Sequence, residues 1–178
     1  VRGVGHYLPK RIVPNSEFEK TLETTHQWIK SRSGIERRHF AAPDQGTSDL
    51  AAEAAKNALS MAGLGPNDSD AVIVTTSTSD NTCPSAATMV QHKIGNAEGF
   101  AFDIQAVCAG FIIALANANA LILSGQANRV LVIGAETFSR IMDWSDRSTC
   151  VLFGDGAGAV ILEGFDGEGT NVDRGILA

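Results

Sequence analysis

Short β-type runs separated by helical patterns constrain this chain more than any other feature of its sequence. Four runs rich in Val, Ile, Leu and Phe are bounded by glycine, asparagine or aspartate, which predicts strands over residues 72–76, 100–107, 130–133 and 157–162. Helices that cross between such strands cover the faces of a sheet, so the alternation predicts an α/β layered fold. The chain has 178 residues, enough to bury one sizeable core.

Two of the predicted helices differ in composition. The first has one apolar face at 3.6-residue spacing, made of Leu50, Ala54, Ala58 and Met61. Thr47 or Ser48 is expected to cap its start, and Gly63 its end. The second, over residues 111–123, has almost no polar face and is expected to be buried all round.

Cys108 lies where the run 100–107 gives way to small residues and then to the apolar helix, a pattern that predicts strand, sharp turn and helix. A thiol at a helix start faces unpaired N–H groups and the positive end of the helix dipole, which favour the thiolate. Ala109 and Gly110 are expected to keep the approach to sulfur open. These observations indicate a nucleophile, and the alternative is a buried structural thiol.

Composition excludes several classes of function. Three cysteines without paired short spacings disfavour a disulfide framework and a zinc site, and the four histidines show no metal-ligand spacing, so no metal is expected. No secretory leader or membrane-length apolar run is present, which predicts a cytoplasmic protein without a membrane partner. The net charge of −6 argues against nucleic-acid binding, since Arg32, Arg37 and Arg38 form the one obvious basic cluster.

The glycine-rich stretch 154–159 is not typical of a dinucleotide site. A dinucleotide fingerprint follows a strand and opens a helix, whereas this stretch runs into the predicted strand over 157–162. The glycines are expected to allow a tight turn and close backbone packing near a site.

Four motifs in order resemble β-ketoacyl-acyl carrier protein synthase III, of the thiolase-like superfamily. They are Glu23-Thr-Thr-His-Gln-Trp-Ile-Lys-Ser-Arg-Ser-Gly-Ile35, Ala106-Val-Cys-Ala-Gly-Phe111, Asp146-Arg-Ser-Thr149 and Phe153-Gly-Asp-Gly-Ala-Gly158. The resemblance implies a thiolase-like fold with a mixed five-stranded sheet and a buried nucleophile helix. It implies that residues 1–178 are the N-terminal half of a two-half fold.

The implied activity is a decarboxylating Claisen condensation that starts fatty-acid synthesis. By similarity, Cys108 takes an acyl group from acyl-coenzyme A, a substrate and not a cofactor, and passes it to malonyl-acyl carrier protein within a homodimer. The family's decarboxylating histidine and asparagine belong to the second half, so the resemblance implies that residues 1–178 alone do not complete the condensation. It does not identify the acyl primer.

The resemblance also assigns binding residues. It implies that Thr24, Trp28, Arg32 and Arg147 hold coenzyme A, because an indole stacks on adenine and arginine binds phosphate. Core packing for Trp28 and surface charge for the arginines are the alternatives.

For the acyl pocket, the resemblance implies Phe153 and Cys83, the latter reaching across the dimer interface. Simple packing is the alternative for both. The chain departs from the family at Val107, often a smaller residue, and at Ser148, frequently glycine.

Three other classes of protein stay open. A related starter synthase of quinolone or polyketide biosynthesis shares the cysteine. A cysteine hydrolase has a similar turn but needs glycine at the position of Ala106. A non-catalytic thiolase-like domain that binds or dimerises is the third.

Overall fold

A computed structural model describes residues 1–167 and 175–176 of the chain. The remainder of the predicted 1–178 domain lies outside the described residues. The strands are β1 Gly3–Tyr7, β2 Arg11–Pro14, β3 Arg37–Phe40, β4 Ala71–Thr75, β5 Phe100–Ile104, β6 Arg129–Thr137 and β7 Asp155–Glu163. The α-helices are α1 Asn15–Phe18, α2 His26–Ser33, α3 Thr47–Ala62, α4 Ala86–Ile94, α5 Gly110–Leu123 and α6 Arg147–Cys150.

Five strands form one mixed sheet in the order β1-β7-β6-β4-β5. β4 pairs in parallel with β5 and β6, whereas β7 is antiparallel to β6 and β1. The α/β fold with a mixed five-stranded sheet is therefore confirmed. All four predicted strands are present, although β5 ends at Ile104, before the predicted boundary.

The sheet separates two hydrophobic clusters. Because side chains alternate along a strand, Val72 and Val74 of β4 face α3 and α4, and Ala71 and Ile73 face α5. A three-layer arrangement results, and within the described residues α5 is the one long helix on its side of the sheet.

Helix α3 forms where the apolar spacing predicts it. Gly63 ends the helix in the left-handed conformation, with φ of 69°. The expected cap at Thr47 or Ser48 is wrong, because Gly46 is the N-cap and its N–H donates to the Asp49 carboxylate at 2.7 Å. Met61 is exposed, so it does not belong to the buried face.

Strand β1 was not predicted, because Gly3 and Gly5 are poor strand residues. The structure supplies the reason for glycine at position 5. A Cβ there would lie 2.3 Å from both Ala54 O and Ala58 N, so glycine lets α3 approach the strand closely.

The expectation that the helix after Cys108 is buried all round is wrong for the part of the chain described. In α5 only Gly110, Ala114 and Ala118 are buried, and Ile112 is 68% exposed. One face packs on β4 and β6, and the described residues place nothing over the other.

A third cluster lies beside the main sheet, around the β2–β3 hairpin. Its buried members are Val13, Phe18, Ile29, Phe40, Cys150 and Val151, with Trp28 packed against them. It therefore joins α2 to α6, two helices far apart in sequence. None of the described helices is long and apolar enough to cross a bilayer.

Candidate active site

The Cys108 thiol lies in a 3₁₀ turn, Val107–Ala109, that leads directly into α5. The cysteine is free and exposed, so the structural alternative of a buried thiol is wrong for the described part of the chain. The turn closes through Ala109 N–H, which donates to Ala106 O at 3.1 Å. The thiol is thus presented at the C-terminal end of β5, two residues before the helix.

Backbone strain in this turn falls on Val107. Its φ is 47°, a left-handed conformation that β-branched residues rarely adopt. Such strain is typical of functional turns that are held by the surrounding fold. A smaller residue, frequent in the resembling family, would carry less of it.

Gly110 is buried at the start of α5, where the helix meets the sheet. A Cβ at this position would lie 1.9 Å from Thr75 Oγ1, at the end of β4. The glycine therefore lets the first turn of α5 sit against the sheet, and its expected part in opening the approach to sulfur stays a prediction. The close contact fixes where the Cys108 turn meets the sheet.

The structure brings together the residues predicted to hold coenzyme A. The guanidinium carbons of Arg32 and Arg147 lie 4.9 and 4.7 Å from the ring centroid of Trp28. Arg147 Nη1 also donates to Glu23 O at 2.6 Å, beside Thr24. We call Trp28, Arg32 and Arg147 the aromatic–arginine clamp.

The helix that carries two members of the clamp is short but well capped. Thr25 Oγ1 accepts from Trp28 N–H at 3.1 Å, and Gly34 ends α2 with φ of 74°. Thr24 Oγ1 is buried without a hydrogen-bond partner among the described residues. A buried hydroxyl without a partner is uncommon, and this one lies next to the clamp.

Ser148 contributes to the turn that carries Arg147. Its N–H and Oγ both donate to Asp146 Oδ1, at 2.9 and 2.6 Å, and Thr149 Oγ1 donates to Oδ2 at 2.6 Å. Hydrogen bonds from the Ser148 and Thr149 side chains hold the pKa of Asp146 below its usual value. The serine that replaces the family's glycine therefore adds a bond to the cap of α6.

The two residues predicted to line the acyl pocket are both accessible. Cys83 is exposed in the loop between β4 and α4. Phe153 stacks on Phe138, with ring centroids 4.8 Å apart, and is 37% exposed. The stacking contact shows packing without excluding a pocket role, and both assignments remain predictions.

The basic cluster expected from Arg32, Arg37 and Arg38 does not form one surface, because Arg38 is buried. Within the described ranges no three His, Cys, Asp or Glu side chains gather as metal ligands. The glycine-rich stretch runs into β7 as predicted.

Comparison with known sequences gives matches along the whole chain. A family model described as 3-oxoacyl-[acyl-carrier-protein (ACP)] synthase III matches residues 102–174. Proteins named β-ketoacyl-[acyl-carrier-protein] synthase III from Cereibacter sphaeroides and Roseobacter denitrificans are 74% and 72% identical over 178 residues. The alignments cover 100% of this chain and 55% of each relative, so the chain spans about half the length of these curated relatives.

Solved structures agree. The 3-oxoacyl-[acyl-carrier-protein] synthase III of Aquifex aeolicus superposes with a TM-score of 0.88 at 47% identity, over 90% of this chain and 52% of that one. The priming β-ketosynthase of the R1128 polyketide pathway gives a TM-score of 0.90 at 38% identity, over 93% and 50%.

The sheet order, the cysteine turn between β5 and α5 and these superpositions define a thiolase-like α/β synthase fold. Within that class the sequence matches are specific. The chain belongs to the β-ketoacyl-[acyl-carrier-protein] synthase III family.

Proposed function

We propose that the full-length protein carrying this chain transfers an acyl group from acyl-coenzyme A to Cys108 and condenses it with malonyl-acyl carrier protein. The observation that carries the proposal is the exposed Cys108 thiol in a strained turn at the end of the sheet. The product of this condensation would start fatty-acid synthesis.

The first half-reaction uses groups of this chain. The Cys108 thiolate attacks the thioester carbonyl, a new C–S bond forms, and coenzyme A leaves as its thiolate. The backbone N–H of Cys108, close to the helix start, is a candidate donor to the oxyanion that develops on the carbonyl. A covalent acyl-enzyme divides one difficult transfer into two easier steps.

The second half-reaction breaks the bond between the malonyl carboxylate and its neighbouring carbon and releases carbon dioxide. The resulting carbanion attacks the acyl-Cys108 carbonyl, a C–C bond forms, and the Cys108 thiolate is regenerated. The resemblance assigns activation of this step to a histidine and an asparagine in the family's second half. Residues 1–178 alone are therefore expected to accept the acyl group without completing the condensation.

The aromatic–arginine clamp is suited to the nucleotide of coenzyme A. Trp28 and the two guanidinium groups over its ring are flat surfaces on which adenine can stack, and the buried Thr24 Oγ1 has no hydrogen-bond partner among the described residues. Among the described residues neither Arg32 nor Arg147 forms an ion pair with a carboxylate. Their charges are therefore available to phosphate.

The assembly is proposed to be a cytoplasmic homodimer. β5 is an edge strand of the five-stranded sheet, and Phe100 on it is exposed and stacks in parallel with Phe102 at 6.4 Å. An apolar edge of this kind is suited to pairing with a second copy. In such a dimer Cys83 would line the partner's acyl pocket, with Phe153 in its own.

A priming ketosynthase of polyketide synthesis is the second candidate, because the R1128 enzyme superposes closely. Its identity to this chain is 38%, against 47% for the Aquifex aeolicus enzyme, which favours the fatty-acid role.

Covalent labelling tests the proposed function. Full-length wild type and Cys108→Ala are incubated with radiolabelled acetyl-coenzyme A and separated from free substrate. We expect label on wild type and on the control variant Cys83→Ala, and none on Cys108→Ala, because alanine removes the sulfur. Label on Cys108→Ala at the wild-type level would refute the assignment.

A further inference from the structure

The clamp has members from opposite parts of the chain, and its geometry depends on how α2 and α6 are joined. Trp28 and Arg32 lie on α2, whereas Arg147 is the first residue of α6. If one group of a site moves by about 1 Å relative to the others, their joint effect on the substrate falls greatly.

Arg38 of β3 bonds directly to the segment that follows α6. Its side chain is buried, with 6% of its surface exposed, and Nη2 donates to Val151 O at 2.9 Å. The guanidinium carbon lies 4.5 Å from the ring centroid of Phe18. Gly154 permits this approach, since a Cβ there would lie 2.9 Å from Arg38 Cβ.

The same nitrogen of Arg38 also donates to Asn15 Oδ1 at 3.0 Å. Asn15 is fully buried and connects onward to α2. Its Nδ2 donates to Ile35 O at 2.7 Å, just beyond the end of the helix, and lies 3.4 Å from Nδ1 of His26, the first residue of α2. Asn15 thus contacts both ends of the helix that carries Trp28 and Arg32.

Burial of the Arg38 guanidinium in this arrangement does not by itself stabilise the fold. Arg38 Nε and Nη1 are buried and have no hydrogen-bond partner among the described residues, and burial lowers the pKa of the guanidinium. A buried cation without a carboxylate is generally less stable than a well-packed apolar side chain. Unlike an apolar residue, Arg38 has one nitrogen that donates to both Val151 O, just after α6, and Asn15 Oδ1, on the α2 side.

We propose that Arg38 and Asn15 are positioning residues, which hold α2 and α6 so that Trp28, Arg32 and Arg147 bind the nucleotide of the thioester substrate together. The inference rests on the proposed function. Both residues are buried, so each acts through the elements it holds and not as a catalytic group.

The test compares two substrates that carry the same thioester. Acetyl-coenzyme A has the nucleotide and acetyl-pantetheine lacks it. Full-length wild type, Arg38→Met and Arg38→Lys are assayed for acyl transfer to Cys108. Methionine keeps apolar contact with Phe18 and removes the directed donors.

We expect Arg38→Met to raise KM for acetyl-coenzyme A about five- to fifty-fold, within the range that loss of base stacking produces, with kcat changed less than about two-fold. The kcat/KM for acetyl-pantetheine stays at the wild-type value. Arg38→Lys, which retains one donor group, restores part of the lost affinity. Arg37→Met, an exposed arginine on the same strand, is the matched control and leaves both substrates unchanged.

Asn15→Asp provides a second route if Arg38→Met does not fold. It keeps the acceptor for Arg38 and removes the donor to Ile35 O. We therefore expect the same loss of preference for acetyl-coenzyme A over acetyl-pantetheine. If the folded variants lose kcat/KM equally for both substrates, or for neither, the positioning role is wrong.

Trp28→Ala distinguishes failure of the positioning inference from failure of the proposed nucleotide site. If Trp28→Ala also treats the two substrates as wild type does, the proposed nucleotide site is wrong. If Trp28→Ala lowers the preference for acetyl-coenzyme A and the Arg38 and Asn15 variants do not, only the positioning inference fails.

Discussion

Helices α3 and α5 lie on opposite faces of one sheet and show how little composition alone says about burial. α3 contains many polar residues, yet nine of its 16 residues are buried. α5 has Asn117 and Asn119 as its polar side chains, yet three of its 14 residues are buried. The difference lies in their neighbours, because α3 packs against both the sheet and α4, whereas α5 packs on the sheet with one face.

The contrast separates a structural side of the molecule from a functional one. α3 and α4 close the main core. The exposed apolar face of α5 begins beside the exposed Cys108 turn, and such a face marks a surface that is covered or occupied when the protein works. Substitutions on the two sides should therefore differ in kind.

The largest expected difference is between Leu50→Ala on α3 and Ile112→Ala on α5. Leu50 is fully buried, so its truncation should lower the free energy of unfolding by about 2–5 kcal/mol. Ile112→Ala should change it by less than about 0.5 kcal/mol, because the side chain contacts mainly solvent. Denaturant unfolding of residues 1–178 measures both, and equal losses would contradict the comparison.

Glycine packing gives a smaller effect on the structural side. Gly5→Ala should lower the free energy of unfolding by about 2 kcal/mol, because the new methyl group overlaps the α3 backbone. Gly158→Ala, in the strand that pairs with β1, is the control, since a Cβ there meets no atom within 4 Å. Similar melting temperatures for the two variants would show that α3 moves away from the new methyl group without loss of stability.

The smallest effect concerns the turn before α5. Val107→Gly should raise the free energy of unfolding by about 0.5–1 kcal/mol, because relief of left-handed strain, about 1–2 kcal/mol, exceeds the entropic cost of glycine. Val4→Gly, at an exposed strand position, should lower it. A loss of stability in Val107→Gly would mean that the turn is not strained.

Local patterns predicted much of the fold. Four strands, helix α3 and its Gly63 terminus follow from apolar spacing and turn residues, which act over a few positions. Strand β1 was missed because it forms through contacts with the distant segments β7 and α3, whereas the Gly46 cap was missed although its bond to Asp49 is local. At the site, local context indicated Cys108 and the family resemblance assigned the clamp residues, but neither pointed to Asn15.

The sequence by itself determined the α/β class and the cysteine turn, since these depend on neighbouring residues, and it also contains the ordered motifs on which the family resemblance rests. Only the tertiary structure decided which helix is covered, why Gly110 must be glycine, and that Arg38 is buried between α2 and α6. Those properties depend on close approach between segments far apart in the chain. Side-chain volume and hydrogen-bond direction decide them, and apolar spacing along the chain records neither.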